Sequence, residues 1–318
     1  MGASPMRYGD PSRQSGFVLL MTLVLLLMSV VALAGMAHRS IIAALDSRTA
    51  VEDLQRRWAI TSIRSTLVGR IEKLLDIAER GRVENGMSSD EYLNAPMSQL
   101  RVSCRLSGID YELVLTDEQA KLNLNHLLKS DNRHKARSIV RRLVNRSGSV
   151  GGKPAAVNLL GIAGGMGGSK NRDALPAIGS YSQVFKNASP DHLVGRQDAI
   201  GLAADITCWG DGKVNLRRAS DEVVRYACGN RVGHDLLREL LAERKRDPYR
   251  GLSGILGALD KVDDKQKTAL KECLTDKSTC HGLWIISRGR RRSWHNLAIS
   301  TGRGAGGSDP GQWSEFGW

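Results

Sequence analysis

The sequence predicts an α+β fold: a long N-terminal helix packed on a small antiparallel sheet, with a large, mostly α-helical domain inserted between two hairpins. Three observations predict it. Phe17 to Ala37 carries no charge, the apolar residues that follow keep a helical period, and two strand-turn-strand patterns lie far apart with helical patterns between them.

The uncharged run FVLLMTLVLLLMSVVALAGMA covers 21 residues. At ~1.5 Å per residue it matches a hydrocarbon core of ~30 Å. Arg7 and Arg13 precede it, and Asp10 is the only acid before it. Three readings fit: an uncleaved signal anchor, a secretory signal cut after Ala32-Leu33-Ala34, or a leader that ends at Gly16 and is cleaved before Phe17. From His38 to Arg80 there is no Pro, and the first Gly is Gly69. Ile60, Ile63, Leu67, Ile71, Leu74 and Ala78 recur at spacings of three and four, as one helix face does. Gly69 marks a kink or an end, since Gly costs ~1 kcal/mol against Ala inside a helix.

Leu100, Val102, Cys104 and Leu106 alternate with polar residues, Ser107-Gly108 offers a turn, and Ile109, Tyr111, Leu113 and Leu115 resume the alternation. That is a β-hairpin. Gly282 to Ser287 and Ser293 to Ile299 flank a basic turn, Arg288 to Arg292, and form a second. Between them, Ile139, Val140 and Leu143 line one helix and Leu236, Leu237, Leu240 and Leu241 another; Ser220 with Asp221 and Glu222 opens a third. Gly148 to Lys170 reads as a flexible connection, and Gly302 to Trp318 as a loose tail whose Trp313, Phe316 and Trp318 are available to dock. Asp117 to Asn125 is echoed by Asp211 to Arg217: Lys, an apolar residue, Asn and Leu follow an acidic turn in both. Asn123, Asn125 and Asn215 there suit bonds to nearby backbone that fix helix starts.

Lys and Arg outnumber Asp and Glu by 46 to 33, a net charge of +13, which favours nucleic acid, anionic lipid or an acidic partner without choosing among them. Cys104, Cys208, Cys228, Cys273 and Cys280 contain no CxxC pair, against a zinc ribbon or thioredoxin-like site. Outside the cytoplasm, Cys273 could bridge to Cys280, or Cys208 to Cys228; all five serve equally as small buried hydrophobes. No catalytic constellation emerges. None of the seven His lies in HExxH, and Gly148 to Pro154 misses the spacing of a phosphate loop, with Pro154 where Ser or Thr would hold Mg²⁺. The expectation is that the chain is not an enzyme.

Arg13-Gln14-Ser15-Gly16-Phe17 resembles a prepilin peptidase site: basic residues, Gly, Phe, then an unbroken apolar run. Most pilins carry Glu at the fifth mature position; here it is Met21, and the K-type minor pseudopilins of type II secretion systems are the members lacking that Glu. Leu115 to Leu128 (LTDEQAKLNLNHLL) resembles the K-type segment that leaves the pilin-like sheet for an inserted helical domain. Asp205 to Tyr226 resembles its second hallmark, a Gly-Asp-Gly turn, Lys-Val-Asn-Leu, then Ala-Ser opening a helix, and Ala242 to Tyr249 the basic helix end that follows. Arg217 stands where the family typically has Asn.

The resemblance implies a leader at 1–16, an N-terminal helix at 17–80 with 17–37 transmembrane, a pilin-like sheet from 81–115 and 278–301, an inserted helical domain at 116–277 and a tail at 302–318. It implies an inner-membrane protein, single pass, with the bulk of the chain periplasmic, at the tip of the secretion pseudopilus. The implied partners are the I-type and J-type minor pseudopilins, the major subunit and prepilin peptidase. Calcium is implied as a cofactor, but Asp260, Asp263 and Asp264 are too weak a cluster to assign ligands. The competing readings are a minor pilin of a related type IV pilus and a membrane-anchored DNA-uptake protein. For the latter, Val214 to Val224 resembles the opening of a helix-hairpin-helix repeat, but Ala227 to Gly233 (ACGNRVG) lacks the Pro and the apolar residue its turn needs.

Overall fold

The apolar run forms the N-terminal part of one helix, α1 (Ser12–Leu67). The computed structural model describes residues 12–84, 97–130, 133–146, 156–157, 178–186, 188–196, 199–229, 231–259, 262–289, 293–302 and 312–317. The chain divides into two units, Met1–Trp58 and Ala59–Trp318. In the first, every residue from Gly16 to Ala50 is exposed. Apolar surface this continuous is not sustained in water. Among the described residues this is the one helix long and apolar enough to cross a membrane. Thr22 and Ser29 donate to the Leu19 and Leu25 carbonyls at 2.8 Å each, so neither hydroxyl is left unpaired in hydrocarbon. The segment is a single membrane span, followed by a large folded region.

In the second unit, α1 gives way to a 3₁₀ turn, Val68–Arg70, and α2 (Ile71–Glu84) follows. Leu67 and Ile71 keep right-handed helical dihedrals on either side. Gly69 therefore loosens the helix without reversing it. Five antiparallel strands form the sheet, in the order β1 (Gln99–Leu106), β2 (Ile109–Asp117), β3 (Cys280–Arg288), β4 (Ser293–Thr301) and β5 (Gln312–Gly317). Ser107 and Gly108 both take positive φ, 50° and 78°, the signature of the two-residue hairpin turn whose twist matches its strands.

Strands β2, β3 and β4 alternate between two cores. Leu113, Leu115, Leu283, Ile285 and Ala298 join Ala59, Ile63, Ile71 and Leu75 of the helix. Val114, Trp284, Ile286, Leu297 and Ile299 point the other way, into the inserted domain. A sheet covered on both faces needs apolar residues in succession, which is why β3 reads Leu-Trp-Ile-Ile. Ile60, Leu67, Leu74 and Ala78, expected on the buried helix face, lie at its margin, while Ala59 and Leu75 go deeper.

The insertion leaves β2 through a 3₁₀ turn, Glu118–Ala120. It contains α3 (Leu124–Ser130), α4 (Arg133–Arg146), α5 (Asp221–Cys228), α6 (His234–Arg246), α7 (Leu252–Ala258) and α8 (Asp264–Cys273). Short helical turns occur at Tyr181–Val184 and Pro190–Val194. Two parallel ladders close its base, Leu122–Asn123 with Ile206–Thr207 and Val214–Asn215 with Leu274–Thr275. Ser220 caps α5, accepting from the Val223 amide at 3.3 Å.

Two expectations change. Gln312–Gly317, read as part of a loose tail, pairs with β4 from Asn296↔Gly317 to Thr301↔Gln312. Without it β4 would present a row of unpaired amides and carbonyls. The docking expected of Trp313, Phe316 and Trp318 falls on side chains outside the described set. Within the expected flexible connection, Ala156–Val157 pairs with Phe185–Lys186; the rest of Gly148 to Lys170, and the turn residues 290–292, lie outside the described residues.

The core of the second unit draws on α1 only from Ala59 onward. A chain lacking residues 1–40 is therefore expected to stay soluble and to unfold in one cooperative thermal transition, checked by calorimetry; a broad, non-cooperative melt would contradict it.

Candidate functional site

The insertion begins and ends at a buried polar junction centred on Asp117, the last residue of β2. Asp117 is fully buried and accepts five hydrogen bonds. The amides of Gln119 and Ala120 reach Oδ1 at 2.9 and 3.2 Å. Asn215 Nδ2, Ser278 Oγ and Arg218 Nη1 reach Oδ2 at 2.9, 2.6 and 3.3 Å. A buried carboxylate persists when its lone pairs are met this fully. Asp117 thus gathers the start of the insertion, its second Asn motif and the segment that returns to β3.

Arg218, 1% exposed, extends the network to α2. Its Nε donates to Glu79 Oε1 at 2.8 Å and its Nη2 to Asp76 Oδ1 at 2.7 Å. Arg217 Nη2 donates to Glu79 Oε2 at 2.7 Å and pairs with Asp76 as well. Burial alone would pull the Arg218 guanidinium down, but Asp117 and Glu79 hold it above its ordinary value, so it stays charged. Beside this lies a second buried pair, Glu118 with Lys121 at 2.7 Å. Thr116 and Thr207 each donate to Glu118 at 2.6 Å. Burial, then the Glu118 charge, push the Tyr181 hydroxyl well up, so it remains a donor, to the Ile206 carbonyl at 2.9 Å.

The three asparagines read from the sequence belong to this junction. Asn123 donates to the Trp209 and Gly210 carbonyls at 2.8 and 3.0 Å and accepts from the His126 amide at 3.0 Å, inside the first turn of α3. Asn125 donates to the Ile178 and Cys208 carbonyls and accepts from the Ile178 amide at 2.7 Å. Asn215 bridges Asp117 and Ser278 and accepts from the Arg217 amide at 3.0 Å. The two echoed motifs lie side by side: Gln119 of the first donates to Asp211 of the second at 2.7 Å. The intervening Gly-Asp-Gly turn needs its glycines. Gly212 has φ +89°, and a Cβ there would lie 2.5 Å from the His126 ring.

The burial and pairing of Glu79, Asp117, Arg218 and Arg244 escaped the sequence reading. Their signals were an acid closing an apolar strand and the Arg217-Arg218 pair. Arg244, in the run read as a basic helix end, is buried: its Nη1 donates to the Leu216 and Ala219 carbonyls at 2.8 Å each, and it pairs with Asp221. Gly16, Phe17 and Met21 belong to the first unit and are exposed on α1; Phe17 and Met21 are 66% and 56% exposed.

A cleft of about 490 Å³ opens beside the junction, lined by Glu72, Asp76, Tyr249, Arg250, Asp276 and Lys277 among others. Its mixed charges assemble no nucleophile and base. Among the described residues, no three His, Cys, Asp or Glu side chains group to hold a metal ion. Asp263 caps α8, accepting from the Gln266 amide at 2.6 Å, Asp264 opens that helix, and Asp260 lies outside the described residues.

The five cysteines are free thiols. Neither of the two pairings the sequence left open is formed; the Cys228 thiol lies in hydrogen-bond contact with Cys273.

No family profile and no curated protein matches the chain. Among solved structures, it is similar to a chain in the crystal structure of the GspK-GspI-GspJ complex from the type 2 secretion system of enterotoxigenic Escherichia coli. The two are 15% identical, the match covers 86% of this chain and 98% of that one, and the TM-score is 0.41.

Proposed function

We propose that the chain is a minor pseudopilin at the tip of a type II secretion pseudopilus, taking part in protein export across the outer membrane. The observation that carries this reading is the course of α1. One helix begins as an exposed apolar span and ends with Ala59 and Ile63 in the core beneath an antiparallel sheet. A signal that is merely removed has no reason to continue into the fold. A leader cleaved at Gly16-Phe17 leaves the span on the mature protein, as a filament subunit requires. On this reading the chain is held in the inner membrane with its bulk in the periplasm, and it assembles with I-type and J-type minor pseudopilins and the major subunit. The sheet face opposite α1 and α2 carries the insertion, which adds bulk without disturbing the helix face.

The DNA-uptake reading gains no support from the geometry. It would direct Arg217 and Arg218 at phosphates, but both are engaged with Asp76 and Glu79.

N-terminal sequencing of the membrane-extracted protein tests the proposal. The expected first residue is Phe17, and Gly16→Leu is expected to leave the precursor uncut in cells with an active prepilin peptidase. A mature chain beginning at Gly35 would overturn it.

A further inference from the structure

Cys228 and Cys273 are the last residues of α5 and α8, helices that pack together in the insertion's core. Cys228 is fully buried and Cys273 is 4% exposed, and their thiols are hydrogen-bonded to each other. Cys273 also has a contact to the Ala269 carbonyl, Sγ to O 3.1 Å. Arg231 lies against the pair, its Nη1 held by Glu272 at 2.9 Å.

This is an asymmetric pair. The hydrogen bond from Cys228 lowers the Cys273 thiol below its ordinary value; burial opposes this and the Arg231 charge assists it. Cys228 is raised, first by that same bond and then by burial. Cys208 and Cys280 are raised by burial and by the Glu118 charge, and Cys104 by burial. Of the five thiols, Cys273 is the one whose surroundings favour the thiolate, and Cys228 is the thiol within its reach.

We propose that Cys228 and Cys273 form an intramolecular disulfide that closes α6, α7 and α8 into a covalent loop. The inference rests on the reading above that this region lies outside the cytoplasm, where an external disulfide serves as oxidant. The Cys273 thiolate attacks a sulfur of that oxidant, forming a mixed disulfide and releasing one thiolate. Cys228 then loses its proton and attacks Cys273 Sγ, forming the Cys228–Cys273 bond and releasing the second thiolate. The two protein thiols give up two electrons and two protons, and the oxidant is reduced to two thiols. Both sulfurs are buried in the native fold, so the exchange belongs to a late step of folding, after α5 and α8 have brought Cys228, Cys273 and Arg231 together and before the core closes over them.

The test uses the full-length chain in bacterial membranes. Free thiols are alkylated under denaturing conditions without reductant, and the digest is read by mass spectrometry; protease accessibility in spheroplasts is measured on the same preparation. The expected product is a Cys228–Cys273 peptide pair lighter than the two reduced peptides by the two thiol hydrogens, with Cys104 alkylated. A chain accessible from the periplasmic side with both thiols alkylated, or with either bridged to Cys208 or Cys280, overturns the pair and leaves the functional reading standing. If the chain proves cytoplasmic, the functional reading fails, and the pair is tested by exposing unfolded purified chain to oxidised glutathione during refolding; failure to form the same cross-link overturns it. Reductant is expected to lower the melting midpoint of the wild type and to leave a Cys228→Ala, Cys273→Ala double variant unmoved.

Discussion

Replacing Arg218 by methionine is expected to reduce the unfolding free energy by about 3–5 kcal/mol, the usual cost of leaving a buried charge without its partner. Methionine retains much of the side-chain volume and removes the three donors aimed at Asp76, Glu79 and Asp117. The two buried acids are not equally exposed to the loss. Asp117 keeps two backbone amides, Asn215 and Ser278. Glu79, 1% exposed, keeps Arg217. Adding Glu79→Gln to the Arg218→Met variant is therefore expected to recover part of the stability, because the less compensated of the two buried charges is removed. Arg217→Met supplies the contrast. Arg217 and Asp76 are 27% and 30% exposed at the side chain, and that loss is expected to stay near 1 kcal/mol, screened by water. Urea unfolding of the chain lacking residues 1–40 measures all three. Equal losses at the two arginines, or no recovery in the double variant, would show that the junction is not held by buried charge.

What could be read ahead from the sequence was local. The helix face around Ile63 and Ile71, the Ser107-Gly108 hairpin and the Ser220 cap all follow from spacings of a few residues. The apolar succession Leu283 to Ile286 even signals that both faces of β3 are covered. The junction is different in kind. Glu79, Asp117 and Arg218 look in sequence like ordinary solvated charges, and their burial depends on partners up to 161 positions apart. Periodicity carries no information at that range. The same limit applies to the cysteines: the sequence left open Cys273 with Cys280, Cys208 with Cys228, or no bridge at all, whereas helix packing brings Cys228 to Cys273. The strand Gln312–Gly317 was hidden by the Gly-rich stretch before it, which reads as loose whatever follows.

In purified filaments the chain is expected at far lower copy number than the major subunit, an order of magnitude or more below it. On the function proposed above, two features favour a position at an end. The first is Met21. In pilin-like filaments the fifth-position Glu is thought to neutralise the N-terminal amine of a neighbouring subunit, and an amine left unpaired in an apolar bundle is costly. Met21 offers no carboxylate, so a subunit stacked next to it gains no such pairing. The second is the insertion. It shares a core with the sheet through Val114, Trp284, Ile286, Leu297 and Ile299, and it is tied to α2 by Arg217 and Arg218. It cannot swing aside like a tethered loop to let identical subunits wind tightly. A single copy at the tip meets neither obstacle. Met21→Glu alone is accordingly expected to leave the copy number low, because the bulk remains. Quantitative mass spectrometry of sheared filaments, with cross-linking to locate the chain, decides the matter: numbers comparable to the major subunit, or cross-links along the shaft, would refute a position at the tip.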